Sequence, residues 1–368
     1  MRIVLTGGGT GGHIYPLLAV SRELKARHGD SVDFMFIGPS GKIEERAMGE
    51  EGIKAKNIMT GKMRRYFSAM NLLDAIKVPF GVIKALYLLW AYMPDVVFSK
   101  GGYASFPVVV AAWIYRIPIL THESDSIPGM ANRIIGKLSS RVAISYPRAK
   151  RYFATGKTFL SGNPVRKQII QGSPERAMQK FNLIADKPVI FVLGGSQGSQ
   201  NINKSVVRIL PELLKHAQVI HQTGDDNYED VIDAAAIEGV KAEREGYFPI
   251  AFLNAEDMSD CLAISSLVIS RAGASSISEV AANKKPSILI PLFKSANNHQ
   301  SMNAFALAEV GGAVVLEESN LGEHILMQKI EKILNDSEFS GKLSENIGAF
   351  YNPDAKSQIA DGILGLVK

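Results

Sequence analysis

The sequence predicts an α/β protein made of two doubly wound domains, each built on a parallel sheet. Short apolar runs of strand length alternate with helical patterns almost from end to end, as expected of parallel strands joined by crossover helices. The alternation restarts in mid-chain. Both halves open with a strand, a glycine-rich turn and a helix, at residues 5–13 and again at 193–200.

In the first half the strand candidates are 3–5, 34–37, 96–99, 117–121 and 142–144, each apolar on both faces as a buried parallel strand should be. In the second they are 189–193, 219–221, 267–270, 288–291 and 314–316. The turn Gly162-Asn163-Pro164-Val165 separates the two series, since proline restrains the residue before it and glycine frees the chain. Domains of 1–163 and 164–342 follow, and the helical spacing of Ile359, Ile363 and Leu366 leaves a tail able to pack on either.

A chain of 368 residues suits two domains of ordinary size. One cysteine, Cys261, excludes an intrachain disulfide and reads as a small buried residue of a reducing compartment. The net charge of +5 suits phosphate-bearing ligands or an anionic lipid surface, and nucleic acid is not indicated. The opening Met1-Arg2-Ile3-Val4-Leu5-Thr6 runs straight into glycines, so no signal peptide is expected and the protein stays where it is made.

Residues 72–93 are the most apolar stretch, but Asp74, Lys77, Pro79 and Lys84 interrupt it and its longest uncharged run falls far short of the roughly 20 residues of a membrane span. Basic Lys62, Arg64 and Arg65 precede it, and Tyr87, Trp90 and Tyr92 lie within it. That mixture predicts a helix lying in a membrane interface, with a core helix under a basic loop as the alternative.

Gly7-Gly8-Gly9-Thr10-Gly11-Gly12-His13 matches G-x-G-x-x-G between strand and helix. A nicotinamide site would also need an acid at the end of the second strand, which instead reads Ile37-Gly38-Pro39. The glycines still let backbone N–H groups approach a ligand oxygen, of phosphate or sugar, at a helix N-terminus. Gly194-Gly195-Ser196-Gln197-Gly198-Ser199 repeats the device in the second half, so two ligands, one per half, are expected. Ser270-Arg271-Ala272-Gly273-Ala274-Ser275-Ser276-Ile277-Ser278-Glu279 is a third strand, turn and helix, suited to a diphosphate. Glu279, a turn into that helix, either accepts two hydrogen bonds from a ribose diol or only caps the helix. The amide-rich run from Asn297 to Ala304, containing His299, Gln300 and Asn303, suits sugar hydroxyls.

Together these motifs resemble the MurG family of cell-wall glycosyltransferases. Gly8 to His13, Lys100-Gly101-Gly102-Tyr103, His122-Glu123, Gly162 to Arg166, Gly194 to Gly198, Arg271 to Glu279 and His299-Gln300 with Asn303-Ala304 occur in the family's order and spacing. The resemblance implies the GT-B fold, two Rossmann-like parallel-sheet domains facing a central cleft, with residues from about 343 to 368 packing back on the first. It implies inverting transfer of N-acetylglucosamine from UDP-N-acetylglucosamine to the muramyl 4-hydroxyl of lipid I, without metal or cofactor. Arg166, Ser196, Leu253, Ala274, Ser275, Ser276, Ile277, Ser278, Glu279 and Gln300 would hold the donor. Thr10, Gly11, Gly12, Tyr103, His122, Glu123 and Asp125 would line the acceptor side.

A peripheral enzyme on the cytoplasmic face of the bacterial membrane is implied, touching it through residues 62–93, with other cell-wall enzymes open as partners. Another GT-B transferase acting on a lipid, or a silent nucleotide-sugar sensor or scaffold, is the competing reading. One departure is specific: where the family usually reads His-Glu-Gln-Asn, this chain has His122-Glu123-Ser124-Asp125. No basic residue lies within residues 121–131, which predicts that the added carboxylate is merely tolerated.

Inversion by direct displacement needs a base for the attacking hydroxyl, stabilisation of the leaving group, and alignment. His13 is the candidate base, because the positive end of a helix dipole disfavours imidazolium and keeps the ring neutral. It could instead only orient the glycine loop. Leaving-group charge would be met by the helix beginning near Ser275, by Ser196 and by Arg166. No Asp-x-Asp triplet of the kind that holds a cation occurs in the chain.

Overall fold

The computed structural model describes residues 1–9, 11–61, 69–195, 198–292 and 298–367, with the side chains of 42–43 and 69–76 also outside the description. The chain forms two compact units, one of Met1–Val165 with Asn352–Lys368, the other of Arg166–Tyr351.

The first unit carries a seven-stranded parallel sheet of β1 (Arg2–Thr6), β2 (Asp33–Gly38), β3 (Lys54–Asn57), β4 (Val96–Ser99), β5 (Ile119–Glu123), β6 (Arg141–Ile144) and β7 (Thr158–Leu160). Spatial order is β3-β2-β1-β4-β5-β6-β7. The order reverses between β1 and β4, and in doubly wound sheets such a switch point opens a ligand crevice at the carboxyl ends of the strands. Helices α1 (Gly11–His28), α2 (Lys42–Glu50), α3 (Ala69–Tyr92), α4 (Phe106–Ile114) and α5 (Met130–Leu138) make the crossovers. Side chains alternate across the sheet: Ile3 and Leu5 join one core layer and Val4 the other.

The second unit has six parallel strands, β8 (Val189–Leu193), β9 (Gln218–Gln222), β10 (Tyr247–Ile250), β11 (Leu267–Ser270), β12 (Ser287–Leu289) and β13 (Val314–Val315). Their order is β10-β9-β8-β11-β12-β13, with its switch point between β8 and β11. Helices α6 (Pro174–Phe181), α7 (Gln200–His216), α8 (Tyr228–Ile237), α9 (Ala255–Ile264), α10 (Ala274–Ala282), α11 (His299–Ala308), α12 (Glu323–Asn335) and α13 (Ser337–Ala349) surround it.

The last helix, α14 (Ala355–Leu364), belongs to the first unit. Ile359, Ala360 and Ile363 enter the core layer beside α1, and Arg27 on α1 donates to Asp361 at 2.6 Å. At Gly362 a Cβ would stand 2.8 Å from Leu120 Cδ1 and from Phe159 Cζ, so glycine lets α14 approach β5 and β7 closely. The return to the first unit starts at Asn352, whose Nδ2 donates to Ser161 O at 2.9 Å, while α13 stays with the second unit.

Helix α3 is two-faced. Ala85 and Leu89 are buried, whereas Phe80, Ile83, Tyr87 and Trp90 are all more than half exposed along one stripe. Tyr92, expected among the interfacial aromatics, instead donates from its hydroxyl to Asp33 at 3.0 Å and lies partly buried at the foot of β2. No helix among the described residues is long and apolar enough to cross a membrane. Lys62, Arg64 and Arg65 lie outside the described residues.

Candidate active site

In the first unit the site grows from the carboxyl ends of β1, β4 and β5. Lys100 N–H donates to Thr6 O at 2.8 Å, continuing the β1–β4 pairing and laying the turn 100–103 beside the glycine turn 7–9. The two turns are packed closely enough to require glycine. A Cβ on Gly9 would stand 2.8 Å from the Tyr103 hydroxyl, and one on Gly102 would stand 3.1 Å from His13 Cε1. Gly9 and Gly102 also have φ of +88° and +79°, a region other residues rarely adopt. His13, Gly102 and Tyr103 are thereby brought together, as are Gly11 and Gly12 at the start of α1. Thr10 lies outside the described residues.

His13 Nδ1 is 2.9 Å from Gly8 O. A carbonyl can only accept, so Nδ1 carries a proton, and when the ring is neutral its lone pair is on Nε2. That is the tautomer a general base needs.

Behind this corner lies a buried polar chain. Gly102 N–H donates to Asn132 Oδ1 at 2.6 Å, and Asn132 Nδ2 donates to Glu123 Oε2 at 2.7 Å. Asp125 N–H donates to Glu123 Oε1 at 2.8 Å. Burial pushes the Glu123 carboxyl up to about 7, and the charge of Asp125 adds to the shift. The Lys100 side chain is fully buried, and its ammonium has no hydrogen-bond partner among the described residues. Burial draws its pKa down, while Glu123 and Asp125, the carboxylates facing it, act in the opposite sense. Lys100, at the end of the neighbouring strand β4, is thus a cation that the segment 121–131 does not itself contain.

His122 has a different part. Its Nε2 lies 3.1 Å from Ser145 Oγ and 3.0 Å from Gly162 O, and burial with the Lys100 charge holds the ring neutral, its pKa well below the usual histidine range. It ties β5 to the end of β6 and to the turn at 162.

In the second unit the site lies at the carboxyl ends of β8 and β11. Ser199 caps α7 by accepting from Ile202 N–H. Arg271, just after β11, donates to Ser199 Oγ at 2.6 Å and to Ile290 O at 3.2 Å, and forms a partly buried ion pair with Glu318. It pins three turns around the mouth of the sheet. Helix α10 follows Gly273, which supplies no side-chain cap to its first turn. Ser275, Ser276 and Glu279 are partly exposed there, whereas Ala274, Ile277 and Ser278 are buried, Ser278 Oγ donating back to Ala274 O at 2.8 Å. Arg166 Nη2 donates to Glu279 Oε1 at 3.2 Å.

Leu253 is buried just before α9, and Gln300 Oε1 accepts from Leu292 N–H at 2.9 Å. Asn303 is fully buried, its Nδ2 3.4 Å from Ala272 O. Ser196 and Asn297 lie outside the described residues. Beneath the glycine turn, buried His221 bridges the Tyr247 hydroxyl and Asn203 Oδ1, each at 3.0 Å, and burial lowers its pKa to about 3. Sequence reasoning singled out neither Asn132 nor Glu44, and it gave Lys100 and Arg271 no role beyond membership of their motifs. No spacing signal marks them, because each acts across strands.

Two glycine turns at two switch points, a tautomer-fixed histidine at one and an uncapped helix with an Arg–carboxylate pair at the other, define a nucleotide-sugar transferase architecture. The glycosyltransferase family 28 N-terminal domain family matches residues 3–144, and the corresponding C-terminal domain family matches 189–359.

A curated protein of Lachnospira eligens, named UDP-N-acetylglucosamine--N-acetylmuramyl-(pentapeptide) pyrophosphoryl-undecaprenol N-acetylglucosamine transferase, is 39% identical over 91% of this chain and 91% of its own. One of the same name from Clostridium botulinum (strain Langeland) is 35% identical over 100% of this chain and 98% of its own. The crystal structure of Acinetobacter baumannii MurG shares the fold, with a TM-score of 0.77 and 22% identity over 99% of both chains. The chain belongs to the MurG family of glycosyltransferases and has its GT-B fold of two parallel-sheet domains.

Proposed function

We propose that this glycosyltransferase moves N-acetylglucosamine from UDP-N-acetylglucosamine to the muramyl 4-hydroxyl of lipid I, giving lipid II for peptidoglycan synthesis. The observation that carries the reading is family membership at up to 39% identity over nine-tenths of the chain, with His13 in the tautomer of a base.

In this reading the second unit binds the donor. Backbone N–H groups of residues 274–276 meet the diphosphate, and the helix dipole of α10 favours its charge. Glu279 accepts from the ribose diol, with Arg166 beside it toward the diphosphate. Ser196, Leu253 and Gln300 complete the donor side. Because Ile277 and Ser278 are buried, they serve by shaping α10 rather than by touching the sugar.

The first unit binds the acceptor through Thr10, Gly11, Gly12, Tyr103 and Asp125, with Glu123 and His122 in support. His13 Nε2 takes the proton of the 4-hydroxyl as its oxygen bonds to the anomeric carbon. The bond from that carbon to the UDP oxygen breaks, its electron pair leaves with UDP, and configuration inverts. Charge on the departing diphosphate is met by fixed dipoles and Arg166, so the chemistry assigns no metal or cofactor.

The exposed stripe of Phe80, Ile83, Tyr87 and Trp90 supports membrane contact at the cytoplasmic face, where the lipid-linked acceptor is presented and other cell-wall enzymes would meet it. The test is UDP release from UDP-N-acetylglucosamine with a soluble lipid I analogue. Turnover with that acceptor is expected; turnover only with an unrelated acceptor such as diacylglycerol would overturn the reading.

A further inference from the structure

Glu44 lies in the first turn of α2, is 5% exposed, and reaches a turn 35 residues away. Its Oε1 accepts from Gly9 N–H at 2.7 Å. The carbonyl at the other end of that same peptide unit, Gly8 O, is the acceptor of His13 Nδ1 at 2.9 Å. One planar peptide thus has a carboxylate on its N–H and the imidazole on its C=O.

The planarity matters because aiming the N–H aims the carbonyl in the opposite sense. Gly8 and Gly9, at φ of +132° and +88°, could otherwise turn this peptide over at little steric cost. A charged acceptor on the N–H is the stronger kind of hydrogen bond, and the N-terminal end of α2 favours the carboxylate charge. The corner is also shaped around it: a Cβ on Gly8 would stand 2.8 Å from Glu44 Oε1 and 2.9 Å from Pro39 Cγ. The acid that a nicotinamide fold would spend on a ribose is absent from the end of β2, and this one, six residues further on, is turned onto the glycine turn itself.

We propose that Glu44 is a positioning residue for the transfer: acting through the Gly8–Gly9 peptide, it holds His13 with its proton on Nδ1 and its basic lone pair on Nε2. The proposal rests on the reading of His13 as the base. Glu44 touches neither substrate in this account. Its effect belongs to the chemical step and not to donor binding, which takes place on the other unit.

The test combines kinetics with ¹⁵N NMR of the His13 ring in the full-length protein. Glu44→Ala should lower kcat by about ten- to a hundredfold, a fraction of a general base's whole contribution, with donor KM unchanged. Its His13 spectrum should move from the Nδ1–H tautomer toward a mixture. Glu44→Gln, which keeps an acceptor oxygen, should recover most of kcat and the Nδ1–H signal. Glu44→Asp, which keeps the charge but withdraws it by one methylene, should not, and this pair decides the matter if the alanine variant fails to fold. A Glu44→Ala protein that retains the Nδ1–H tautomer, or one that loses only donor affinity, overturns the proposal. If the native protein itself releases no UDP, the functional reading falls, while the ring spectra still decide what Glu44 does to His13.

Discussion

The Arg166 guanidinium donates to the Glu279 carboxylate at 3.2 Å, joining the first residue of the second unit to the second turn of α10. Burial raises the Glu279 pKa, and the Arg166 charge and hydrogen bond oppose that rise without cancelling it. Glu279→Ala should therefore lower kcat/KM for the donor by at least about tenfold, the scale of a lost charge-assisted pair. Arg166→Lys, which loses the planar fork, should show a smaller loss in the same parameter. Unchanged donor kinetics in Glu279→Ala would refute the ribose assignment.

His13→Ala should cut turnover by roughly 10²–10⁴-fold, the usual contribution of a general base, with donor affinity nearly unchanged. Stopped assays of UDP release together with a donor binding isotherm separate the two effects. A loss below about tenfold would leave His13 as scaffolding for the glycine turn.

Neighbouring residues on α3 should behave oppositely. Trp90 is 67% exposed and Leu89 1% exposed. Trp90→Ser combined with Ile83→Ser should weaken binding to anionic vesicles while turnover of a short soluble acceptor stays intact. Leu89→Ser should instead lower unfolding free energy by about 2–5 kcal/mol, since it leaves a cavity and an unpaired hydroxyl in the core. Equal vesicle binding by the native and doubly substituted proteins would remove the membrane role from this face.

Lys100 and Asp125 should prove coupled. Because the buried ammonium faces Asp125 and Glu123, Asp125→Asn should reduce acceptor kcat/KM several-fold, on the order of 1 kcal/mol, even though it restores the commoner family residue. Lys100→Met alone should cost more stability, about 3 kcal/mol, because it leaves two carboxylates facing each other. In the double variant part of that loss should return, giving a coupling above about 0.5 kcal/mol in a double-mutant cycle of unfolding free energies. Strictly additive losses would show that the two charges ignore one another.

The central strands were legible as apolar runs because both their faces are buried, and 96–99, 189–193 and 267–270 match β4, β8 and β11 residue for residue. The three strands that sequence reading missed are all sheet edges. Lys54–Asn57 is exposed along its whole length, Thr158–Leu160 is at most partly buried, and Tyr247–Ile250 contains Pro249. An edge strand has fewer faces to bury and a spare N–H to lose, so neither the apolar run nor the absence of proline marks it.

What the sequence by itself determined was local: strand, glycine turn and helix in succession, the histidine at the start of α1, and the carboxylate one turn into α10. Those follow from backbone freedom and hydrophobic period, which act over a few residues. Only the tertiary structure decided which charges meet. The pairing of Ser99 with Thr121 brings Lys100 beside the acidic end of β5, and the β1–β2 pairing lets Glu44 close on Gly9. Strand order and register set those encounters. They depend on the whole sheet, and no segment of the chain carries them alone.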